Sequence, residues 1–485
     1  MIFKKMKKLA ALGLTVALGA TVLAGCGNSS DSGTASNGDI VTLKYYTIGA
    51  EPKDKQMVLD EANKYLGEKI GVNLDMTYID FGDYTQKMSI IINSGEPFDL
   101  AFTCSWAGDY LGNARKGAFL DLTPYLETTG KAMYDAIDQR FWEGATIDDK
   151  IYAVPNQKEI STMPMWVFTK EYVDKYNIPY QDIHTLEDLE PWLKVIKENE
   201  PDVVPLYITK GFSPPQYFDF ITNPVGVEIG DDTLTIKSIF DTEKMQSTLK
   251  TLRKYYQAGY INGDSATAQD DKSVKRLVTK GDGQPYAEVL WSKDLGYDVV
   301  ASPIMDGLVT NDSTTGSMIA VSKNSKHPEK AVEFLNLVNT DPYIRNLLNY
   351  GIEGVHYTKV EGSENSIKLD PEKSKGYSVP YFAGGNLFIT YTLDTEPETK
   401  WEEFKQFNDG AETSPLLGFK FDTTPVTNEL AAINNVMEEF KATIYSGSVD
   451  IDEYLAKLND KLKAQNIDKV IEEAQKQLDE WKAAQ

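Results

Sequence analysis

The sequence predicts an α/β protein of two bodies with a helical C-terminal part. Three observations carry this. Between residues 41 and 103, runs with strand period alternate with runs of helical period. A second α/β body begins after Ile151-Tyr152-Ala153-Val154-Pro155. From about Thr427 onward the apolar residues recur at helical spacing. A chain of 485 residues is long enough for two domains with cores of their own.

Val41 to Thr47 is rich in β-formers and reads as a strand, with Ile48-Gly49-Ala50 as the loop after it. Val58, Leu59, Ala62, Tyr65 and Leu66 fall on one helical face. Val72, Leu74, Met76 and Tyr78 alternate with Asn73, Asp75 and Thr77, which is strand period. A second amphipathic helix covers about 83–93 and stops at Ser94-Gly95-Glu96-Pro97, and a third strand follows over 99–103. This alternation implies right-handed βαβ units and a parallel sheet with helices on both faces. Such sheets bind ligands at the carboxyl ends of their strands, here 47–50 and 103–109.

In the second body, 166–169 reads as a strand, and Thr185 with Asp188 has capping-box spacing for a helix towards Asn199. Asp241 stands where it can cap a helix carrying Met245, Leu249, Leu252 and Tyr256 and ending at Gly259. Residues 287–291 are expected as a strand or its end. The character changes again near Ser302-Pro303. A strand is expected over 318–321, and Ser325-Lys326-His327-Pro328-Glu329 opens a helix with Ala331, Phe334, Leu335 and Val338 inward. Near the C-terminus Ile467, Val470, Ile471, Ala474, Leu478 and Trp481 make one apolar stripe.

Lys4, Lys5, Lys7 and Lys8 precede an apolar run from Leu9 to Leu23. A basic start, an apolar core and small residues make a signal peptide over 1–25. The run is shorter than the ~20 residues a spanning helix needs. Leu23-Ala24-Gly25-Cys26 resembles the lipobox of bacterial lipoproteins. That resemblance implies that Cys26 becomes the first mature residue and carries acyl chains, palmitate among them. Residues 27–39 are small and polar and read as a flexible tether. The expected location is therefore the outer face of the cell membrane.

The formal charge is −24, and losing four lysines with the signal takes it to −28. A surface this acidic repels nucleic acid and anionic lipid. The chain has two cysteines, and with Cys26 assigned to the anchor, Cys104 has no internal disulfide partner. His184, His327 and His356 have no zinc-like spacing with the cysteines, and no metal or cofactor is expected.

Several segments together resemble one family. They are Tyr84-Thr85-Gln86-Lys87-Met88 through Asn93-Ser94-Gly95-Glu96-Pro97-Phe98-Asp99-Leu100, then Lys116-Gly117-Ala118-Phe119-Leu120-Asp121-Leu122, Ile151-Tyr152-Ala153-Val154-Pro155 and Ser325-Lys326-His327-Pro328-Glu329-Lys330-Ala331. The most specific is Leu348-Asn349-Tyr350-Gly351-Ile352-Glu353-Gly354-Val355-His356-Tyr357, joined by Asn386, Phe407-Asn408, Leu417-Gly418-Phe419 and Gln475-Lys476-Gln477-Leu478-Asp479. In this order they resemble the extracellular solute-binding proteins of ABC importers, family 1, mostly serving carbohydrate uptake. The later segments resemble the subset that ends in a domain of unknown function. The resemblance implies a type II, two-lobe periplasmic-binding-protein-like fold with a hinge. The first lobe would be 41–153 plus about 303–357. The second would be about 156–302 plus about 360–485, with the C-terminal helices. It also implies a sugar ligand in the interlobe cleft, closure by hinge motion, and separate permease and ATPase polypeptides. A monomer is expected.

A pyranose offers an apolar face to an aromatic ring and a rim of hydroxyls to polar groups. Trp106 and Tyr110, with Ser105 and Asp109 beside them, follow the 99–103 strand and are candidates for this work. Asn156 and Glu159 follow the first hinge crossing, and Tyr217 lies in a loop with Gly211, Pro214 and Pro215. Glu288 and Trp291 are expected at a late strand end, and Glu353 and His356 lie in the most family-specific segment. The competing readings are an anchored glycoside hydrolase and a peptide-binding or sensor receptor. Paired carboxylates could hydrolyse a glycan, but with 73 acidic residues a pair can always be found. The sequence has no Gly-x-Ser-x-Gly, His-Glu-x-x-His or Gly-Lys-Ser/Thr motif. No enzyme is expected.

Overall fold

Two β-sheets organise the protein, one in each lobe. The computed structural model describes residues 40–485, so the signal peptide, Cys26 and the tether lie outside the described residues. The first sheet runs Val72–Ile79, Val41–Ile48, Leu100–Thr103, Met318–Val321, Ala153–Pro155. The first three strands are parallel, as the alternation requires. Met318–Val321 is antiparallel to both its neighbours, so the sheet is mixed and not purely parallel. It arrives from the other lobe and not through a crossover helix, so the constraint on direction is absent. Helices Lys55–Ile70 and Phe81–Ser94 both end at left-handed glycines, Gly71 at φ 66 and Gly95 at φ 73. Leu43, Val58, Leu66, Leu74, Phe334 and Leu335 form the core on one face. Tyr84, Met88 and Phe102 pack the other.

The second sheet runs Val299–Pro303, Met163–Thr169, Arg276–Gly283, Val204–Leu206. A separate antiparallel sheet holds Phe218–Thr222, Val225–Glu228 and Lys237–Ser238. The helices Glu243–Gln257, Thr427–Tyr445, Ile451–Ala464 and Ile467–Ala484 bury their stripes in this lobe's single core cluster. Thr242, not Asp241, caps Glu243–Gln257, its hydroxyl accepting from the Met245 amide at 3.2 Å. Thr185 and Asp188 do form the reciprocal pair, but a short 3-10 turn, Glu187–Leu189, precedes the helix Glu190–Asn199. Residues 287–291 are not a strand. They belong to a helix, Ala287–Leu295, because left-handed Tyr286 at φ 66 turns the chain out of the preceding strand and Gly296 ends the helix.

The chain passes between the lobes three times, through 156–162, 304–317 and 411–416. Leu308–Val309 and Glu412–Thr413 pair in parallel at the crossings. Leu417 packs in the first lobe's core while Leu416, Phe419 and Phe421 pack in the second's. Part of the segment expected in the second lobe lies on the first, where Tyr377 and Ala383 join the cores. Buried Arg345 explains this. Its guanidinium donates to the carbonyls of Asn386 and Tyr381, at 3.1 and 2.8 Å, and so pins 381–386 to the helix Pro342–Tyr350. Among the described residues no helix is long and apolar enough to cross a membrane.

Candidate functional site

A cleft of about 490 Å³ lies between the lobes. The first lobe contributes Trp106, the second Tyr217, Lys280 and Asp282, and the crossing segments contribute Glu159, Ser161 and Gly316. Trp106 owes its place to a tight turn. The Cys104 amide donates to the Ala107 carbonyl at 2.8 Å, and Gly108 takes φ 74 where a Cβ would press on the Phe102 carbonyl at 3.2 Å. The indole is thrown outward, 52% exposed, yet held. Its Nε1 donates to the Gly316 carbonyl at 2.8 Å, and its ring stacks on Phe81, centroids 6.3 Å apart, with Phe382 edge-on at 6.2 Å. An oriented, half-exposed indole is a platform for an apolar ring face.

Glu159 is 6% exposed. Its Oε1 accepts from Lys158 Nζ at 2.7 Å, but its buried Oε2 has no partner. Ser161, 1% exposed, has an equally unpartnered Oγ. A buried polar group left unsatisfied costs ~1–3 kcal/mol, and two of them belong to residues that line one cleft. The sequence reading missed Ser161, which lies in the bends of the crossing where no periodic pattern exists to find it. It also missed Lys280 and Asp282, which pair at 2.8 Å on the opposite wall, because the strand Arg276–Gly283 was not anticipated. Tyr217 sits in the left-handed region, φ 48, and lines the cleft beneath the Lys244 ammonium, 5.0 Å from its ring.

The other sequence candidates lie elsewhere. Ser105, Asp109 and Tyr110 line a neighbouring cavity of about 290 Å³. Asp109 caps the helix Tyr110–Arg115 through the Gly112 amide at 3.1 Å, and the buried Tyr110 hydroxyl donates to the Ala145 carbonyl. The Asn156 side chain is consumed within the protein, donating to Ser317 Oγ and the Phe382 carbonyl and accepting from the Gly385 amide. Trp291 lies over the strand Arg276–Gly283, so close that a Cβ on Gly281 or Gly283 would meet its ring at 2.9 or 2.7 Å. It is packing. Glu288 sits in the first turn of its helix, where a carboxylate offsets the positive end of the dipole. Glu353 is exposed and bridges to Tyr357 through backbone. His356 is fully buried, its Nδ1 accepting from the Ile352 amide at 2.9 Å and its Nε2 standing 3.5 Å from Asp54.

Burial also shapes the titration of groups near the crossings. The Asp219 carboxyl is pushed up to about 6 by burial, against the pull of the Ser414 hydroxyl that donates to it. The Cys104 thiol, free and buried, is pushed up to about 12. It is therefore protonated near neutral pH and is no nucleophile. Among the described residues no cluster of three metal-ligating side chains exists.

A model of the bacterial extracellular solute-binding proteins matches residues 50–344. This chain belongs to that family. Residues 415–483 of this solute-binding protein match a domain of unknown function, DUF3502. A carbohydrate ABC transporter substrate-binding protein of Streptococcus pneumoniae is 38% identical and covers 99% of each chain. Lipoprotein LipO of Bacillus subtilis is 26% identical over 73% of this chain and 75% of its own. A crystal structure of the N-glycan transport solute binding protein NgtS from S. pneumoniae superposes with a TM-score of 0.85 at 36% identity, covering 90% of this chain and 98% of that one. Complexes of NgtS with Man1GlcNAc and Man5GlcNAc superpose at 0.77 and 0.73. The solute-binding protein is thus a type II two-lobe receptor of the ABC importer class and not an enzyme.

Proposed function

We propose that this solute-binding protein captures an oligosaccharide in the interlobe cleft and presents it to the permease of an ABC importer. The observation that carries the reading is the convergence of a held, half-exposed Trp106 with the unpartnered Glu159 Oε2 and Ser161 Oγ in one cleft. The indole takes a sugar's apolar face, and the two oxygens take its hydroxyls. The charged residues of the lining are Lys158 and Lys280 against Glu159, Asp282, Asp306 and Asp312. That balance is negative, so neutral glycans fit better than uronates or sialylated chains. The glycan-bound structures of NgtS support the same ligand class. A thermal-shift screen of the soluble chain from residue 27 onward tests it, since binding to the folded state raises the melting temperature by mass action. Neutral glycans should stabilise the protein and be recovered intact. Cleaved glycan, or stabilisation by peptides alone, would overturn the reading.

Anchoring is part of the proposal. Cys26, acylated, would hold the receptor at the outer face of the cell membrane, with 27–39 as the tether. Cys26→Ala should then shift the exported protein from the membrane pellet to the soluble fraction, since stable attachment needs acyl chains in the bilayer.

A further inference from the structure

A second cavity of about 530 Å³ lies between the lobes, and nothing yet assigned uses it. Its wall on the second lobe is Gln284, Tyr286 and Leu290, and its wall on the first is Asn349, Tyr381 and Trp401. Two features place it beside the Trp106 cleft. The strand that presents Lys280 and Asp282 to that cleft runs directly into Gln284 and Tyr286, which face the second cavity. On the opposite side an aromatic run connects them. Phe81 stacks on Trp106, Trp106 meets Phe382 at 6.2 Å, and Phe382 meets Tyr381 at 5.6 Å. Tyr381 is 38% exposed and Leu290 is 46% exposed, a large apolar surface on each wall. The Tyr286 hydroxyl donates to Glu403, on the helix Lys400–Gly410, and bridges the two walls.

We propose that this cavity is the distal half of the glycan site, and that it takes the further residues or branches of a ligand whose first residues stack on Trp106. The proposal rests on the oligosaccharide reading of the cleft. Its chemistry is that of a sugar chain. Tyr381 and Trp401 offer ring faces and Gln284 an amide, while of the lining lysines Lys400 pairs with Glu396 at 2.7 Å and Lys375 with Glu372 at 3.0 Å, and Lys293 adds a donor for hydroxyls. Each cavity alone has the volume of a small-molecule site. A ligand that spans both would be longer than a disaccharide.

The test is calorimetry on the soluble chain with the members of a glycan array that it binds, from disaccharides upward and including Man1GlcNAc and Man5GlcNAc. Two variants at exposed positions, Tyr381→Ala and Leu290→Arg, remove a stacking face or fill the cavity without opening the core. Each should weaken the longest bound glycan about ten-fold, the worth of one lost stacking contact. Each should leave the shortest within about two-fold. Trp106→Ala should weaken long and short alike. Wild-type affinity that does not rise with chain length, or variants that treat long and short glycans equally, would overturn the proposal while leaving the Trp106 cleft as the sugar site. Failure of the wild-type protein to bind any glycan would remove the oligosaccharide reading itself, and this proposal with it.

Discussion

Two tryptophans show how differently a residue can be used. Trp106 and Trp291 look alike in sequence, each near an expected strand end. The structure gives Trp106 a half-exposed ring fixed by one hydrogen bond, and spreads Trp291 over two glycines. Trp106→Ala should therefore weaken glycan binding by ~1–3 kcal/mol with little change in melting temperature. Trp291→Ala should do the reverse, lowering the melting temperature while affinity holds. Titration calorimetry and thermal denaturation on both variants check this. Asp219 gives a pH signature. Its carboxyl holds a proton more tightly folded than unfolded, so its contribution favours the fold at low pH and is lost as pH rises from about 4 through about 6. Asp219→Asn should flatten that decline in thermal scans across pH, with a gain of at most ~3 kcal/mol above it. An unchanged slope in the variant would assign the decline to other groups. The position of Glu159 at a crossing was legible from the Val-Pro ending of the preceding strand. That Asn156, three residues earlier, spends its whole side chain on Ser317, Phe382 and Gly385 was not, because those partners are 161 to 229 residues away.

At the scale of elements, period was a good guide where one face of an element is buried. The stripe Ile467, Val470, Ala474 and Leu478 is buried as its spacing implies. The first three strands of the first sheet and the helices between them follow the alternation closely. Period failed where local backbone decides. A left-handed Tyr286 converts what reads as an apolar strand end into the helix Ala287–Leu295. The strand Arg276–Gly283 was missed because Lys280, Gly281, Asp282 and Gly283 carry no β-signal of their own and are held by pairing with Met163–Thr169. The C-terminal helices are structural members of the second lobe, since their stripes lie in its core and not in a separate one. Leu478→Ala should therefore destabilise the whole lobe by ~2–5 kcal/mol. The exposed Glu480→Ala should cost no more than ~0.5 kcal/mol. Urea unfolding by fluorescence reads both, and a melting step confined to the last helix would contradict the shared core.

For the whole molecule, the question is how two lobes crossed three times can move. Each crossing carries something that resists separation. At 156–162 it is Asn408, whose amide donates to the Lys158 carbonyl and whose oxygen accepts from the Ile160 amide. At 304–317 it is the pairing of Leu308–Val309 with Glu412–Thr413. At 416–417 consecutive leucines sit in the cores of opposite lobes. All three act at the crossings, so rotation about them is the motion the topology permits. The NgtS structures superpose to different degrees. At the same 36% identity, superposition falls from 0.85 to 0.77 and 0.73 for the complexes with Man1GlcNAc and Man5GlcNAc. A ligand moves such an equilibrium only by its differential affinity for the closed form, and a shift from mostly open to mostly closed needs about 5 kcal/mol of it. In the proposed site, a glycan touching Trp106 on one lobe and Lys280 and Asp282 on the other would gain contacts only when the lobes approach, and that difference would follow. Small-angle scattering should accordingly show the radius of gyration of the soluble chain falling on saturation with a stabilising glycan. Trp106→Ala, saturated with the same glycan at higher concentration, should close less completely, because it loses a contact made from one wall of the closed cleft. A radius that stays constant in both proteins would mean that the three crossings lock the lobes, and that the glycan binds a rigid groove.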